Sequence, residues 1–304
     1  MRVLVTGANG FIGKALCAEL SQHGHVVRGA TRNSVGDIGE HTDWAEALSG
    51  IDAVVHLAAR VHVMRDVASD PLKAHRATNA LGTQRLAQCA AASGVKRFVY
   101  ISTVKVHGEA TPQRPFADRE PPNPQDPYAI SKFEAEQALQ RISAARGMEI
   151  VILRPPLVYG PGVEGNFLRL LHLVEKGIPL PLGSIMNQRS LIYLGNLVDA
   201  IRLCLTHECA AEKTFLVSDG ETISTPGLIR KLASLSGKRA RLWPIPIALL
   251  QWAGYLTGKI ETVQRLTDSL IVDDSAIRLE LGWQPPYSME EGLAETVRHF
   301  QATR

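Results

Sequence analysis

Residues 1–13 read MRVLVTGANGFIG, and this stretch decides the fold. Val3 to Thr6 is a short, continuous apolar run, the pattern of a strand buried on both faces. It passes directly into a turn with glycines at Gly7, Gly10 and Gly13, and the segment from Phe11 to about Gln22 predicts a helix. A strand that turns sharply into a helix needs backbone angles that glycine adopts at little cost. The missing side chains let a pyrophosphate approach the amides, and the helix N-terminus offers unpaired N–H groups and a partial positive charge. The spacing alone says little; its place between strand and helix is the context a dinucleotide site requires. Asn9, Phe11 and Ile12 lie in the same turn and share the expectation of cofactor contact.

Outward from that turn, strands are predicted at Val26 to Ala30, Ala53 to Leu57, Arg97 to Ser102 and Glu149 to Arg154, with helices at Pro71 to Ala92 and Tyr128 to Arg146. Apolar strands alternating with helices indicate a doubly wound α/β architecture, a parallel sheet of Rossmann type covered on both faces. Val35 to Ile38 is a further strand candidate, but it follows the second strand too closely for a parallel crossover. Either the usual helix is missing there, or the segment is not a sheet strand. The second half predicts helices at Asn166 to Lys176 and near 225–235, 245–256 and 289–301, with one strand at Phe215 to Ser218. The expected organisation is a dinucleotide-binding domain over 1–158, joined again by a strand and helix near 190–220, and a smaller, mostly helical substrate lobe over 159–304.

The 304 residues are 45% hydrophobic and 21% charged, with a formal net charge of +3, which gives no reason to expect nucleic-acid binding. Cys17, Cys89, Cys204 and Cys209 form no metal or redox spacing and read as packing residues. No metal site is expected. The apolar stretch Trp243 to Leu256 contains Pro244 and Pro246 and is shorter than the roughly 20 residues of a membrane span. It reads as a buried helix, with contact at a membrane surface as the alternative. With no leader evident, a cytoplasmic setting is expected.

An acidic residue at the end of the second strand would hold the adenosine ribose of NAD. Gly29-Ala30-Thr31-Arg32 stands there instead, and Arg32 could pair with a 2′-phosphate, so NADP(H) is favoured over NAD(H). Tyr128 and Lys132 sit four residues apart at the start of a predicted helix, on one face. A nearby ammonium favours the ionised phenol, so Lys132 is expected to lower the Tyr128 pKa and fit it for proton transfer. A second Tyr-x-x-x-Lys, Tyr255 to Lys259, contains Gly258 and follows no hydroxyl-bearing strand end; it reads as a chance match. The first copy follows the strand that delivers Ser102 and Thr103 to the sheet's carboxyl edge, where ligands bind in this architecture. His56 and His62 invite a catalytic reading, but His56 follows a buried strand and reads as structural.

These residues together resemble the extended short-chain dehydrogenase/reductase family, of the NAD-dependent epimerase/dehydratase type, which includes nucleotide-sugar epimerases, dehydratases and keto-sugar reductases. The likeness runs through TGANGFIG at the start, HLAA at 56–59, Asn79 with Gly82-Thr83, ISTVKVHG at 101–108, PYAISK at 127–132, LRPPLVYGPG at 153–162, Arg189 and LGW at 281–283. The resemblance implies that Tyr128 is the acid/base, that Lys132 holds the nicotinamide ribose, and that Thr103, with Ser102 beside it, supplies the hydroxyl. It implies that Leu57, Ala58, Ala59 and Asn79 line the dinucleotide, that Asp37 and Ile38 flank the adenine, and that Pro155 lies near the nicotinamide. For a nucleotide-sugar substrate it marks Arg60, Lys105, Asn166 and Arg189. It also implies a homodimer built from two outer helices of the sheet.

Departures narrow the activity. Dehydratases of the family carry Asp-Glu where Val104-Lys105 stands, which argues against water elimination. Leu157 replaces a frequent Asn, and Ser190-Leu191-Ile192-Tyr193 replaces Asp-Tyr-Ile-His, which weakens a standard UDP-galactose 4-epimerase. The leading expectation is reduction of the C4 keto group of a UDP-6-deoxy-4-keto-hexosamine for surface polysaccharide synthesis. The alternatives are a UDP-glucose or UDP-N-acetylglucosamine 4-epimerase, a reductase of a hydrophobic ketone, and a non-enzymatic nucleotide-binding regulator on the same fold.

Overall fold

Parallel pairing on both sides of the first strand builds the main sheet. The computed structural model describes residues 1–61, 70–111 and 113–303. The first half of the chain contains β1 (Arg2–Thr6), α1 (Phe11–Gln22), β2 (Val26–Ala30), the short helices α2 (Arg32–Val35) and α3 (Ala45–Leu48), and β3 (Ala53–His56). Then come α4 (Pro71–His75), a π-helical stretch (Arg76–Gly82), α5 (Thr83–Ala92), β4 (Arg97–Ile101), α6 (Pro127–Arg146) and β5 (Glu149–Arg154). The remainder holds β6 (Leu157–Tyr159), α7 (Gly165–Glu175), β7 (Arg189–Tyr193), α8 (Leu194–Thr206), β8 (Lys213–Leu216), β9 (Thr222–Ile223) and α9 (Thr225–Leu235). It ends with α10 (Ile247–Leu256), α11 (Ile260–Thr267), α12 (Ser275–Leu281) and α13 (Met289–Ala302).

Six parallel strands run in the order β2-β1-β3-β4-β5-β8, the doubly wound arrangement. Alternate strand residues feed two separate cores. Val3, Val5, Val55, Val99, Val151 and Leu153 face α1 and α8, meeting Leu16, Leu20, Leu197 and Ile201. Leu4, Val54, Phe98, Tyr100, Ile150 and Ile152 face the other way, onto Trp44, Leu86, Ala135 and Leu139. Both faces are buried, which is why these strands read as continuous apolar runs rather than alternating ones. The edge strand β2 is mostly exposed, and Arg28 from it donates to the carbonyls of Glu46, Ala47 and Ser49 at 2.9–3.1 Å, closing the end of α3.

Val35 to Ile38 is not a strand. The chain turns through α2 and crosses by α3 to β3, which takes the place beside β1, so the crossover has its ordinary length. β6, β7 and β9 form a small second sheet. It lies with α7, α9 and α13 around a third core of Tyr159, Phe167, Leu171, Ile229, Leu232, Leu293 and Phe300. Phe11, at the head of α1, packs against both this core and the main one. Cys204 is buried and Cys17 and Cys89 are half-buried; Cys209 is exposed, so packing does not account for it. Among the described residues no helix is long and apolar enough to cross a membrane.

One carboxylate joins the two sheets. Asp219, just past β8, is buried, and burial raises its pKa. It accepts hydrogen bonds from the Tyr159 hydroxyl, the Tyr193 N–H and the Asn196 side-chain amide, each at 2.8 Å. Those donors come from β6, β7 and α8. Replacing Asp219 by Ala leaves buried donors unmatched, at about 1–3 kcal/mol for each. Asp219→Ala is therefore expected to lower unfolding free energy by about 3 kcal/mol or more, read by urea denaturation. A change within experimental error would remove this carboxylate from its joining role.

Candidate active site at the carboxyl edge of the sheet

Gly7 opens the edge with φ +69°, a left-handed conformation that disfavours any other residue. A Cβ at Gly13 would come 2.1 Å from the Gly7 carbonyl, so the turn closes onto the first turn of α1 only because position 13 is bare. Gly10 is the N-cap of α1; no side chain caps that end and no acid occupies its first turn. Asn9 is exposed at the tip and Ile12 packs on the main core. The loop after β3 lies against this turn: a Cβ on Gly7 would meet the Ala58 nitrogen at 3.0 Å, and the Ala58 N–H donates to the Thr6 hydroxyl at 3.2 Å. Leu57 and Ala59 flank Ala58, half-buried.

Asn79 is buried in the π-helical stretch and spends its amide on structure. It accepts from the Arg60 N–H at 2.8 Å and donates to the Arg60 carbonyl and the Ser131 hydroxyl, both at 3.0 Å. It thus ties the Leu57–Arg60 loop, expected to line the dinucleotide together with Asn79, to α6. His56 is buried, with ring nitrogens bonded to the hydroxyls of Thr6 at 2.6 Å and Thr83 at 2.9 Å, and burial and the Lys132 charge lower its pKa to about 3. It is a neutral structural histidine. His62 lies outside the described residues.

Tyr128 and Lys132 enter from the first turns of α6, whose N-cap Asp126 accepts from the Ala129 N–H at 2.6 Å. The Tyr128 ring meets His75 edge-on at 6.0 Å. Lys132 is buried; its Nζ donates to the Ile101 carbonyl at 2.6 Å and stands 4.0 Å from the centre of the Tyr100 ring. The amine therefore lies at the end of β4, one residue before Ser102. Burial lowers the Lys132 pKa to about 7, with Glu136 pulling the other way. Burial, and then the Asp126 charge, raise the Tyr128 pKa. The direction is opposite to the expected lowering, with burial as its largest cause, and the amine is held by the Ile101 carbonyl over the Tyr100 ring.

Behind the lysine stands a buried ionic chain. Glu136, one turn beyond Lys132, receives both ends of the Arg154 guanidinium, from Nε at 3.0 Å and from Nη2 in a very short contact. Arg154 Nη1 also donates to His107 Nε2 at 2.8 Å, and the His107 pKa falls to about 4 through burial and the Arg154 charge. The four-residue spacing that joins Tyr128 to Lys132 extends to Glu136, and that extension is the signal the two-residue motif omits.

Ser102 is buried with no hydrogen-bond partner for its hydroxyl, a cost retained only if something else meets it. Thr103 is buried beside it and accepts from the Lys105 N–H at 3.3 Å. Pro155 is buried, and its carbonyl accepts from the Val104 N–H at 3.0 Å, joining the loops after β4 and β5. The open glycine turn, the uncapped α1 and the unsatisfied Ser102 hydroxyl, all on one sheet edge, fit a dinucleotide.

The expected ligand cations divide. Arg32 stands on the surface with Asp37 at 2.7 Å, both side chains more than four-fifths exposed. Ile38 packs over Gly82, where a Cβ would come 2.6 Å from its Cγ2. Lys105, marked for substrate, instead bridges Glu109 at 2.8 Å and Asp126 at 2.7 Å and so anchors the start of α6. Arg189 contrasts with both: its Nη1 donates to the carbonyls of Arg265 and Asp268 at 3.3 Å, and among the described residues no carboxylate bonds it. Burial lowers its pKa, and the Asp268 and Glu109 charges pull the other way. Arg265 comes beside it from α11, a neighbour the sequence does not mark. Asn166 is exposed in the first turn of α7 and does not cap it. Tyr255 is exposed and a left-handed Gly258 separates it from Lys259, so the second Tyr-x-x-x-Lys does not share one helix face.

A UDP-glucose 4-epimerase from Vibrio cholerae is 44% identical to this chain over 311 residues, covering 98% of this chain and 95% of that protein. The UDP-glucose 4-epimerase of Thermotoga maritima, solved with UDP-glucose, superposes with TM-score 0.79 at 25% identity, covering 100% of this chain and 99% of that one. A dTDP-glucose 4,6-dehydratase from Streptomyces venezuelae, solved with NAD, superposes with TM-score 0.78 at 27% identity, covering 100% and 98%. The profile of the NAD dependent epimerase/dehydratase family matches residues 3–217. With the glycine turn, the paired Tyr128 and Lys132 and the parallel sheet that carries them, this chain is an enzyme and belongs to the NAD dependent epimerase/dehydratase family.

Proposed function

We propose that this enzyme is a UDP-hexose 4-epimerase working with NAD(H). The observation that carries the reading is 44% identity to the Vibrio cholerae UDP-glucose 4-epimerase across 98% of the chain. Reduction of a 4-keto-sugar with NADPH, the leading expectation from sequence, has less support, because the relative that matches 98% of this chain at 44% identity is an epimerase. The same relative supports a nucleotide-sugar as substrate over a hydrophobic ketone.

When bound, the dinucleotide would supply reversible hydride transfer at C4 of the hexose. In this proposal the Gly7–Gly13 turn and the α1 N-terminus hold its pyrophosphate, Leu57 to Ala59 line it, and Ser102 finds its missing partner there. Tyr128 accepts the proton of the C4 hydroxyl and gives it back, with Thr103 sharing a hydrogen bond to the same oxygen. Lys132 keeps a positive charge in reach of the phenol, and Glu136 with Arg154 holds that lysine in register. Arg189, hydrogen-bonded to carbonyls, takes the diphosphate, a task suited to a guanidinium, and Asn166, exposed at the start of α7, is the second candidate for it.

The purified enzyme is expected to interconvert UDP-glucose and UDP-galactose without added reductant, followed by proton NMR. NADPH consumption with a UDP-4-keto-sugar, beside no interconversion, would replace this reading with the reductase. Tyr128→Phe is expected to lower kcat by about 10²–10⁴-fold while dinucleotide binding, read by nucleotide fluorescence, stays intact. An unchanged rate would remove Tyr128 from the chemistry.

The lysine also has a stability signature. Its pKa falls from 10.5 in the open chain to about 7 when folded. Between those values the unfolded chain binds a proton that the folded chain has shed, so raising the pH favours folding. The destabilisation is full below the folded value and fades as the pH climbs toward the unfolded one. Lys132→Met, measured cofactor-free by denaturant unfolding, is therefore expected to gain stability relative to wild type near pH 7 and lose that advantage by about pH 10. A difference that does not vary with pH would show that the amine is not depressed.

A further inference from the structure

The stretch expected to be a buried helix is only half buried. α10 presents Ile247 and Leu250 to the third core, and Gly254 is buried against α11, where a Cβ would come 2.8 Å from Val263 Cγ2. Its opposite face carries Leu249, Trp252, Tyr255 and Leu256, and Trp243 stands just before the helix; all five are more than half exposed. No residue of α10 is charged. A helix apolar all round is normally covered on all sides, and a contiguous apolar patch on a surface marks an interaction site.

The charge around this face identifies the partner. From residue 222 to residue 260 there is no acidic residue, and Arg230, Lys231, Lys238, Arg239, Arg241 and Lys259 are basic. These six charges exceed the whole net charge of +3, so the rest of the chain is net negative. Lys231 and Lys238 are paired with Glu290 and Glu175, but Arg239, Arg241 and Lys259 meet no carboxylate among the described residues. Exposure alternates along 239–243: Ala240 and Leu242 turn inward to the core, while Arg239, Arg241 and Trp243 turn outward. The unpaired cations thus lead directly into the exposed aromatic face. Tryptophan and tyrosine beside leucine, flanked by free basic residues, is the composition of a helix lying in the headgroup zone of a bilayer.

We propose that α10 and the 239–243 segment dock this enzyme on an anionic lipid bilayer surface. The test is co-sedimentation of the full chain with vesicles of phosphatidylglycerol mixed with phosphatidylcholine, against pure phosphatidylcholine. The bound fraction is expected to be at least about tenfold higher on the anionic vesicles and to fall as salt is raised. L249S/W252S removes the apolar contact and R239E/R241E the electrostatic one, and each is expected to lower binding about tenfold. All four residues are exposed, so circular dichroism and melting of both variants should match wild type; should the apolar variant unfold, the charge variant alone decides. Absence of binding to anionic vesicles overturns the proposal, as does binding that neither variant weakens. A face that instead mediates self-association, seen as a dimer lost in L249S/W252S with no lipid binding, also overturns it.

Discussion

The site depends on one buried cation. Lys132 is buried, and burying an ammonium is costly unless it is paired and hydrogen-bonded. The protein offsets part of that cost through three neighbours that all have geometric consequences. The Ile101 carbonyl pins the amine to the end of β4, the Tyr100 ring lies under it, and Glu136 supplies the opposite charge one helical turn away. Because Lys132 is fixed at the sheet's edge, the helix that carries it is fixed too, and Tyr128 follows one turn nearer the N-terminus. Arg154 then fixes Glu136 from β5, so two adjacent strands and one helix share a single ionic arrangement. Lys105 secures the start of the same helix through Asp126.

Much of the fold was legible because its signals are local. The Gly7–Gly13 turn declares itself where glycine is sterically required, and the parallel strands declare themselves by being apolar without alternation. The boundaries of α1, β2 and β5 follow directly. What was not legible was set by distant partners. β6 is three residues long and pairs with β7, and β9 is two residues long and joins the other side of β7, so each is set by chain distant in sequence. The segment at 35–38 has strand-like composition, yet β3 occupies the position beside β1 that it would have needed.

The site was legible in its residue types and less so in their partners. A motif shows that Lys105, Arg32 and Asn79 are present; it does not show what they touch. Each is engaged within the protein, Lys105 by two carboxylates, Arg32 by Asp37, Asn79 by the Arg60 backbone and Ser131. The sign of the Tyr128 shift was not legible either. Spacing places an ammonium on the phenol's helix face, but only the folded chain shows the burial that raises the phenol's pKa and the Ile101 carbonyl that the amine bonds.

The cations near the sheet edge therefore sort by what neutralises them. Arg154 and Lys105 have carboxylates, and their charge is consumed in holding helices and loops. Arg189 hydrogen-bonds carbonyl oxygens, which orient a guanidinium without cancelling its charge, while Asp268 and Glu109 act on it from further away. Such a group retains an attraction for an anion that a paired arginine has lost, and partial burial strengthens it by lowering the local dielectric. Lys132 shows the same logic on the cofactor side, with a carbonyl as its direct acceptor and its carboxylate one turn removed. The distinction between carboxylate-paired and carbonyl-bonded cations separates structural charge from charge left available for ligands, and it does so without reference to any relative.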